Sequence, residues 1–198
     1  LSARQKRADG ASAVKLAPGE SFNEQVAKFK ACLQKFNRVH SLTNYDDLDA
    51  VVRDSLSGAE FIPRYPRIAC DIGSGAGFPG LFLALALPLC EWHLFEPNQK
   101  KAAFLTYAKV SLALANVKIH AERVQDGAKL RADLISSRAL MNARSLIEIC
   151  RGFYDENTTF LLYKGSGAEA EAKEFRKEFA SARCEIFSGE NALKNRKF

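Results

Sequence analysis

The stretch Asp71-Ile-Gly-Ser-Gly-Ala-Gly-Phe-Pro-Gly80 decides the fold. The apolar run Ile68-Ala-Cys70 precedes it, and the run Leu81-Phe-Leu-Ala-Leu-Ala-Leu87 follows it. A buried strand therefore ends at an aspartate and turns through glycines. A helix then starts near Pro79, whose missing N–H has no partner to lose in a first helical turn. Glycines in such a turn admit positive φ and let a ligand approach the main chain closely. The pattern is a nucleotide-type cofactor site at the first strand–helix crossing of a doubly wound sheet.

The choice of cofactor turns on two acids. Gly75-Ala-Gly-Phe-Pro-Gly80 also fits the G-x-G-x-x-G dinucleotide pattern. Glu96 closes the next apolar strand, Glu91-Trp-His-Leu-Phe95, where a ribose-binding acid is expected. Both candidate cofactors carry a ribose diol, so Glu96 does not separate them. Asp71 does, because a carboxylate at the loop repels a pyrophosphate and suits the cationic end of S-adenosylmethionine. A plain glycine turn with an acidic helix cap is the bland alternative.

From Arg67 onward strands and helices alternate regularly, the signature of a parallel α/β sheet. Strands are expected over 67–72, 91–95, 117–120, 132–137, 158–164 and 184–188, and helices near 79–88, 98–115, 142–153 and 168–182. Ligands of such sheets bind outside the carboxyl ends of the strands. That rule aligns Gly73, Glu96, the Glu122-Arg-Val-Gln125 turn and Ser137-Arg138 on one rim. Ahead of the sheet, Phe22, Val26, Phe29, Leu33 and Phe36 recur at helical spacing, and a shorter helix is expected over Leu48 to Leu56. The chain divides into a leader or tag-like segment at 1–20, expected to be disordered, a helical extension at 21–64 and a cofactor-binding domain at 65–198.

Ile72-Gly-Ser-Gly-Ala-Gly-Phe-Pro-Gly80, Lys101-Ala-Ala-Phe-Leu105, Ser137-Arg-Ala139 and Tyr163-Lys-Gly165 resemble the ribosomal small-subunit methyltransferase G family, also called glucose-inhibited division protein B. The Phe-Pro-Gly extension of the loop is far more specific than its glycines. The resemblance covers residues 22 to 190 and implies a class I S-adenosylmethionine-dependent methyltransferase fold, Rossmann-like and mostly parallel. It further implies methylation of guanine N7 in a 16S ribosomal RNA loop near the decoding centre. Two departures stand out: Ser41 replaces the family's usual Asn, and Arg53-Asp-Ser-Leu56 is shorter than the family's segment.

The expected cofactor site comprises Asp71, Gly73, Gly75, Phe78, Glu96, Val124, Gln125 and Arg138. Asp71 is an indirect partner for the ammonium, and the carboxylate of Glu96 can accept two ribose hydroxyls. The resemblance implies cofactor contacts for Phe78, adenine contacts for Val124 and Gln125, and a pocket position for Arg138. A guanidinium there can meet a carboxylate, a phosphate or guanine O6/N7, its structural alternative being a salt bridge to Asp71 or Glu96. Arg138 and Lys164 are the catalytic candidates, with Lys164 binding phosphate or the target base or simply standing exposed at a strand end. Guanine N7 offers a free lone pair at neutral pH, so no general base is required. His40, His93 and His120 are expected to be structural, and no metal-ligand spacing occurs.

Composition agrees. The 198 residues are 47% hydrophobic, enough for one well-cored domain, and the net charge of +6 fits a polyanionic partner. The five cysteines form no C-x-x-C pair, and four sit in or beside apolar runs, as reduced buried thiols of a cytoplasmic protein do. No apolar run is long enough to span a membrane. The expected partner is 16S rRNA in a small ribosomal subunit, met by a monomer. Basic clusters at Lys100-Lys101, Arg176-Lys177 and Lys194-Asn-Arg-Lys197 could touch phosphates, and Phe61, Tyr65 or the Leu42–Tyr45 loop could stack bases. The rivals are a methyltransferase of this fold with another RNA or protein target, an NAD-dependent oxidoreductase, and an RNA-binding protein with a relict pocket.

Overall fold

A computed structural model of the chain describes residues 21–180, 182–189 and 196–198. The expectation for residues 1–20, and part of the basic cluster at 194–197, lie outside the described residues. Five parallel strands, β1 (Ile68–Ile72), β2 (Glu91–Phe95), β3 (Val117–His120), β4 (Leu134–Arg138) and β5 (Thr159–Tyr163), form one sheet in the order β3-β2-β1-β4-β5. The chain leaves β1 toward β2 on one side and reaches β4 on the other, so the strand order reverses between β1 and β4. That reversal opens the crevice in which doubly wound sheets bind ligands.

Helices α1 (Phe22–His40), α2 (Leu48–Ser57), α3 (Gly80–Ala86), α4 (Gln99–Ser111), α5 (Ala143–Ile149) and α6 (Ala168–Glu178) flank the sheet. The apolar stripe of α1 buries Phe29 and Leu33, and the Phe29 ring meets Phe78, Phe82 and Phe104 edge-on at 4.9–5.7 Å. The N-terminal helices thereby share one core with α3, α4 and β2. A second core lies on the other face, where Cys70, Ile72, Phe95 and Ile135 meet Leu146, Cys150 and Phe153. Strands buried on both faces read as continuous apolar runs, which is why β1 and β2 were so legible.

Boundaries tightened where local chemistry intervenes. Asn98 caps α4 by accepting from the N–H groups of Lys100 and Lys101, and Ala113 turns the chain at φ 54° soon after the helix ends. β4 begins two residues later than expected, and Asp133 just before it accepts at Oδ2 the N–H groups of Arg67 and of Ile68, the first residue of β1. The strand expected at 184–188 does not form. The edge beyond β5 is taken by Lys197, which exchanges antiparallel hydrogen bonds with Lys164 at 2.8 and 3.0 Å. Phe187 instead pairs with Phe198 and stacks on Phe61 at 4.5 Å. Cys70, Cys90 and Cys150 are buried and Cys32 and Cys184 half-buried, so three thiols rather than four are fully enclosed. Burial pushes the Cys90 and Cys150 thiols up to about 12. Among the described residues no helix is long and apolar enough to cross a membrane.

Candidate active site

A cavity of about 350 Å³ opens at the carboxyl ends of β1, β2 and β4. Its floor is the loop Gly73–Ala76, Glu96 and Arg138 form opposite walls, and Thr43 and Tyr45 close it from the loop between α1 and α2. A cavity of that size holds a nucleoside-sized ligand.

The glycine loop is anchored at its base, where the N–H groups of Gly73 and Ser74 both donate to Phe95 O at 2.9 and 3.1 Å. Gly73 and Gly75 adopt φ of 71° and 58°, the left-handed region that disfavours side chains. Among the described residues, apart from its chain neighbours, only Gly73 O lies within 4 Å of where a Gly75 side chain would start, so the main chain there is open to a ligand. Glu96 is only 6% exposed. Its Oε2 accepts the Gly75 N–H and its Oε1 the Asn98 N–H, each at 2.8 Å. Each oxygen keeps a lone pair for a hydroxyl donor. The bare glycine cradle beside a doubly anchored carboxylate fits the methionine and ribose parts of S-adenosylmethionine.

Asp71 lies deeper than expected. It is fully buried beneath the loop and does not line the cavity. Its Oδ1 accepts from the Ser136 hydroxyl at 2.6 Å, while Oδ2 has no hydrogen-bond partner among the described residues. Burial pushes its carboxyl up to about 6, against the opposing hydrogen bond of Ser136 and the charge of Arg138.

Arg138, the last residue of β4, reaches the cavity with a side chain only 5% exposed. Its guanidinium lies over the rings of Tyr45 and Phe78, 5.1 Å from each centroid. Phe78, 4% exposed, stacks on Phe82 and carries this cage into the core. The ion-pair partner of Arg138 is neither Asp71 nor Glu96 but Asp54 of α2, at 3.4 Å. Asp54 is what the sequence left unassigned, whereas Tyr45 belongs to the loop expected to stack bases. The only signal for Asp54 was its place in the shortened Arg53-Asp-Ser-Leu56 segment.

Three further expected site residues do not line the cavity. Val124 is buried in the second core, and Gln125 is exposed, its carbonyl accepting from Lys129 at 3.1 Å. The Lys164 ammonium donates to Met141 O at 2.6 Å and pairs with Glu171 at 2.8 Å. It is therefore neither a bare strand-end lysine nor a cavity group. Of the proposed stacking platforms only the Leu42–Tyr45 loop reaches the cavity, through Leu42, Thr43 and Tyr45. Phe61 is covered by Phe187, and the Tyr65 hydroxyl accepts the Leu89 N–H ahead of β2. His93 Nδ1 and His120 Nε2 are 2.9 Å apart, His93 Nε2 meets Glu91 at 2.7 Å, and neither ring lines the cavity. His40 stands exposed at the end of α1.

The family model described as rRNA small subunit methyltransferase G matches residues 22–197. The chain belongs to this family. A protein of Campylobacter hominis named ribosomal RNA small subunit methyltransferase G is 55% identical over 159 residues, covering 80% of this chain and 87% of that protein. A protein of the same name from Campylobacter fetus is 52% identical over 152 residues, 77% of this chain and 84% of its own. Among solved structures, a methyltransferase from Geobacter sulfurreducens superposes with a TM-score of 0.57 at 14% identity, covering 85% of each chain. The fold of this family member is thus that of the class I S-adenosylmethionine-dependent methyltransferases.

Proposed function

We propose that this chain transfers a methyl group from S-adenosylmethionine to guanine N7 in 16S ribosomal RNA. Membership of the family supports the rRNA substrate. The observation that carries the mechanism is the cavity itself, with an open glycine floor, a buried carboxylate on one wall and a caged guanidinium on the other.

Gly73 and Gly75 present bare main chain to the methionine part, and Glu96 accepts the ribose hydroxyls. The chemistry supplied by bound S-adenosylmethionine is an electrophilic methyl on a sulfonium centre. Arg138 binds and orients the target guanine through O6 or an adjoining phosphate, in a planar, always-charged contact. Tyr45, 41% exposed at the cavity wall, offers a ring to an unpaired base. Guanine N7 loses no proton before attack, so alignment rather than base catalysis supplies the acceleration. Among the described residues the polar side chains lining the cavity are those of Thr43, Tyr45, Ser74, Glu96, Lys101 and Arg138. Lys164 acts from outside the cavity by holding the Met141 carbonyl ahead of α5.

The test is transfer of labelled methyl to small ribosomal subunits lacking this modification, beside naked 16S RNA and protein-only controls. Label on one guanine N7 is the expected result. Tight S-adenosylmethionine binding without label on any RNA would move the substrate elsewhere. Binding of NAD in its place would overturn the cofactor.

A further inference from the structure

Asp54 is fully buried, and its carboxylate serves two arginines from distant parts of the chain. Oδ2 faces Arg138 at 3.4 Å, and Oδ1 accepts from Arg196 Nε at 2.8 Å. Arg196 is itself fixed, its second donor reaching Lys164 O at 3.2 Å next to the Lys164–Lys197 bridge. The neighbouring Ser55 is pinned as firmly, because the buried Tyr163 hydroxyl donates to Ser55 O at 2.5 Å. A carboxylate in such a place cannot swing to follow a ligand. The guanidinium it faces is also confined on its sides by Tyr45 and Phe78.

We infer that Asp54 is a positioning residue for the transfer reaction: its buried carboxylate, held from behind by Arg196, sets the direction in which the Arg138 guanidinium meets the substrate. The inference rests on the proposed methyl transfer for its kinetic consequence, but the placement of Arg138 can be read without it. Asp54 does not line the cavity and touches no reacting atom. Its effect should therefore fall on the rate of transfer rather than on cofactor binding. The segment around Arg196, 142 residues from Asp54 in sequence, becomes part of the catalytic apparatus through this one contact.

The experiment compares wild type with Asp54→Asn, Asp54→Glu and Arg196→Ala, by single-turnover transfer, S-adenosylmethionine binding and the guanidinium resonances of isotope-labelled arginine. Asp54→Asn should lower the transfer rate roughly 10- to 100-fold, the penalty of a misplacement of about 1 Å, while cofactor affinity stays within about threefold. The Arg138 resonance should move and broaden. Asp54→Glu keeps the charge but displaces it, so it should stay slow; a full return of rate would show that charge alone suffices and overturn the inference. If Asp54→Asn does not fold, Arg196→Ala removes the rear support from outside the cavity. It should slow transfer several-fold and shift the same resonance. Wild-type rate with an unmoved Arg138 resonance in either variant would overturn the inference. Should the wild type itself transfer no methyl, the proposed reaction has failed, and the Arg138 resonance in the variants decides the placement by itself.

Discussion

On one wall of the cavity, the Gly75 N–H donates to the Glu96 carboxylate, 21 residues away in sequence, and the glycine loop beside it presents bare main chain. On the other wall, Arg138 is held by Asp54 across 84 residues, and Asp54 by Arg196 across 142. The first wall depends on conformations that only glycine adopts readily; the second depends on buried charges that need counter-charges. A substitution should therefore damage the glycine wall through shape and the arginine wall through unpaired charge.

The largest effect that would sharpen this contrast is expected for Gly75→Asp. It forces a side chain into a φ of 58° and sets a second carboxylate beside Glu96. S-adenosylmethionine binding should weaken by on the order of 100-fold or more, measured by calorimetry on folded protein. Binding retained within a few-fold would break the account of that wall.

Asp71 connects the two walls from beneath and gives a pH signature. Its carboxyl is raised from 3.8 to about 6 by burial, so the protonated form is favoured in the fold. The resulting stability is fully present below pH 3.8 and is lost as pH rises through about 6. Compared with Asp71→Asn, the unliganded wild type should therefore lose about 2 kcal/mol between pH 4 and 7, followed by denaturant unfolding at each pH. A constant difference across that range would contradict the buried placement.

Gly80→Ala would put a methyl 2.6 Å from Asp71 Oδ2, under the glycine wall. Overpacking there should destabilise by about 1–3 kcal/mol in unfolding measurements. On the arginine side, Tyr163→Phe leaves Ser55 O without its donor and should cost about 1–2 kcal/mol. If the two walls are as separate as described, Tyr163→Phe should spare cofactor affinity and slow transfer, whereas equal losses of both would join them.

The difference between the walls also explains what could be read from sequence. The parallel sheet was legible because β1 and β2 are buried on both faces, and the glycine wall because a contiguous motif encodes it. Arg138 was legible by position, at the end of a strand bordering the switch point. Its counter-ion was not, since Asp54 and Arg196 meet only once α2 and the chain near 196 converge. The strand expected at 184–188 failed for a similar reason: apolar alternation does not say which segment wins the edge beyond β5, and Lys197 holds it. Lys164 and Gln125 follow β5 and β3 without lining the cavity, and their partners Glu171 and Lys129 could not be foreseen from spacing.

The most direct test is to measure S-adenosylmethionine affinity and single-turnover methyl transfer to small ribosomal subunits for Arg138→Ala, with folding checked by thermal unfolding. The account predicts a folded protein that still binds the cofactor within about tenfold of wild type but has nearly lost transfer. A variant that binds and transfers at the wild-type rate would contradict it.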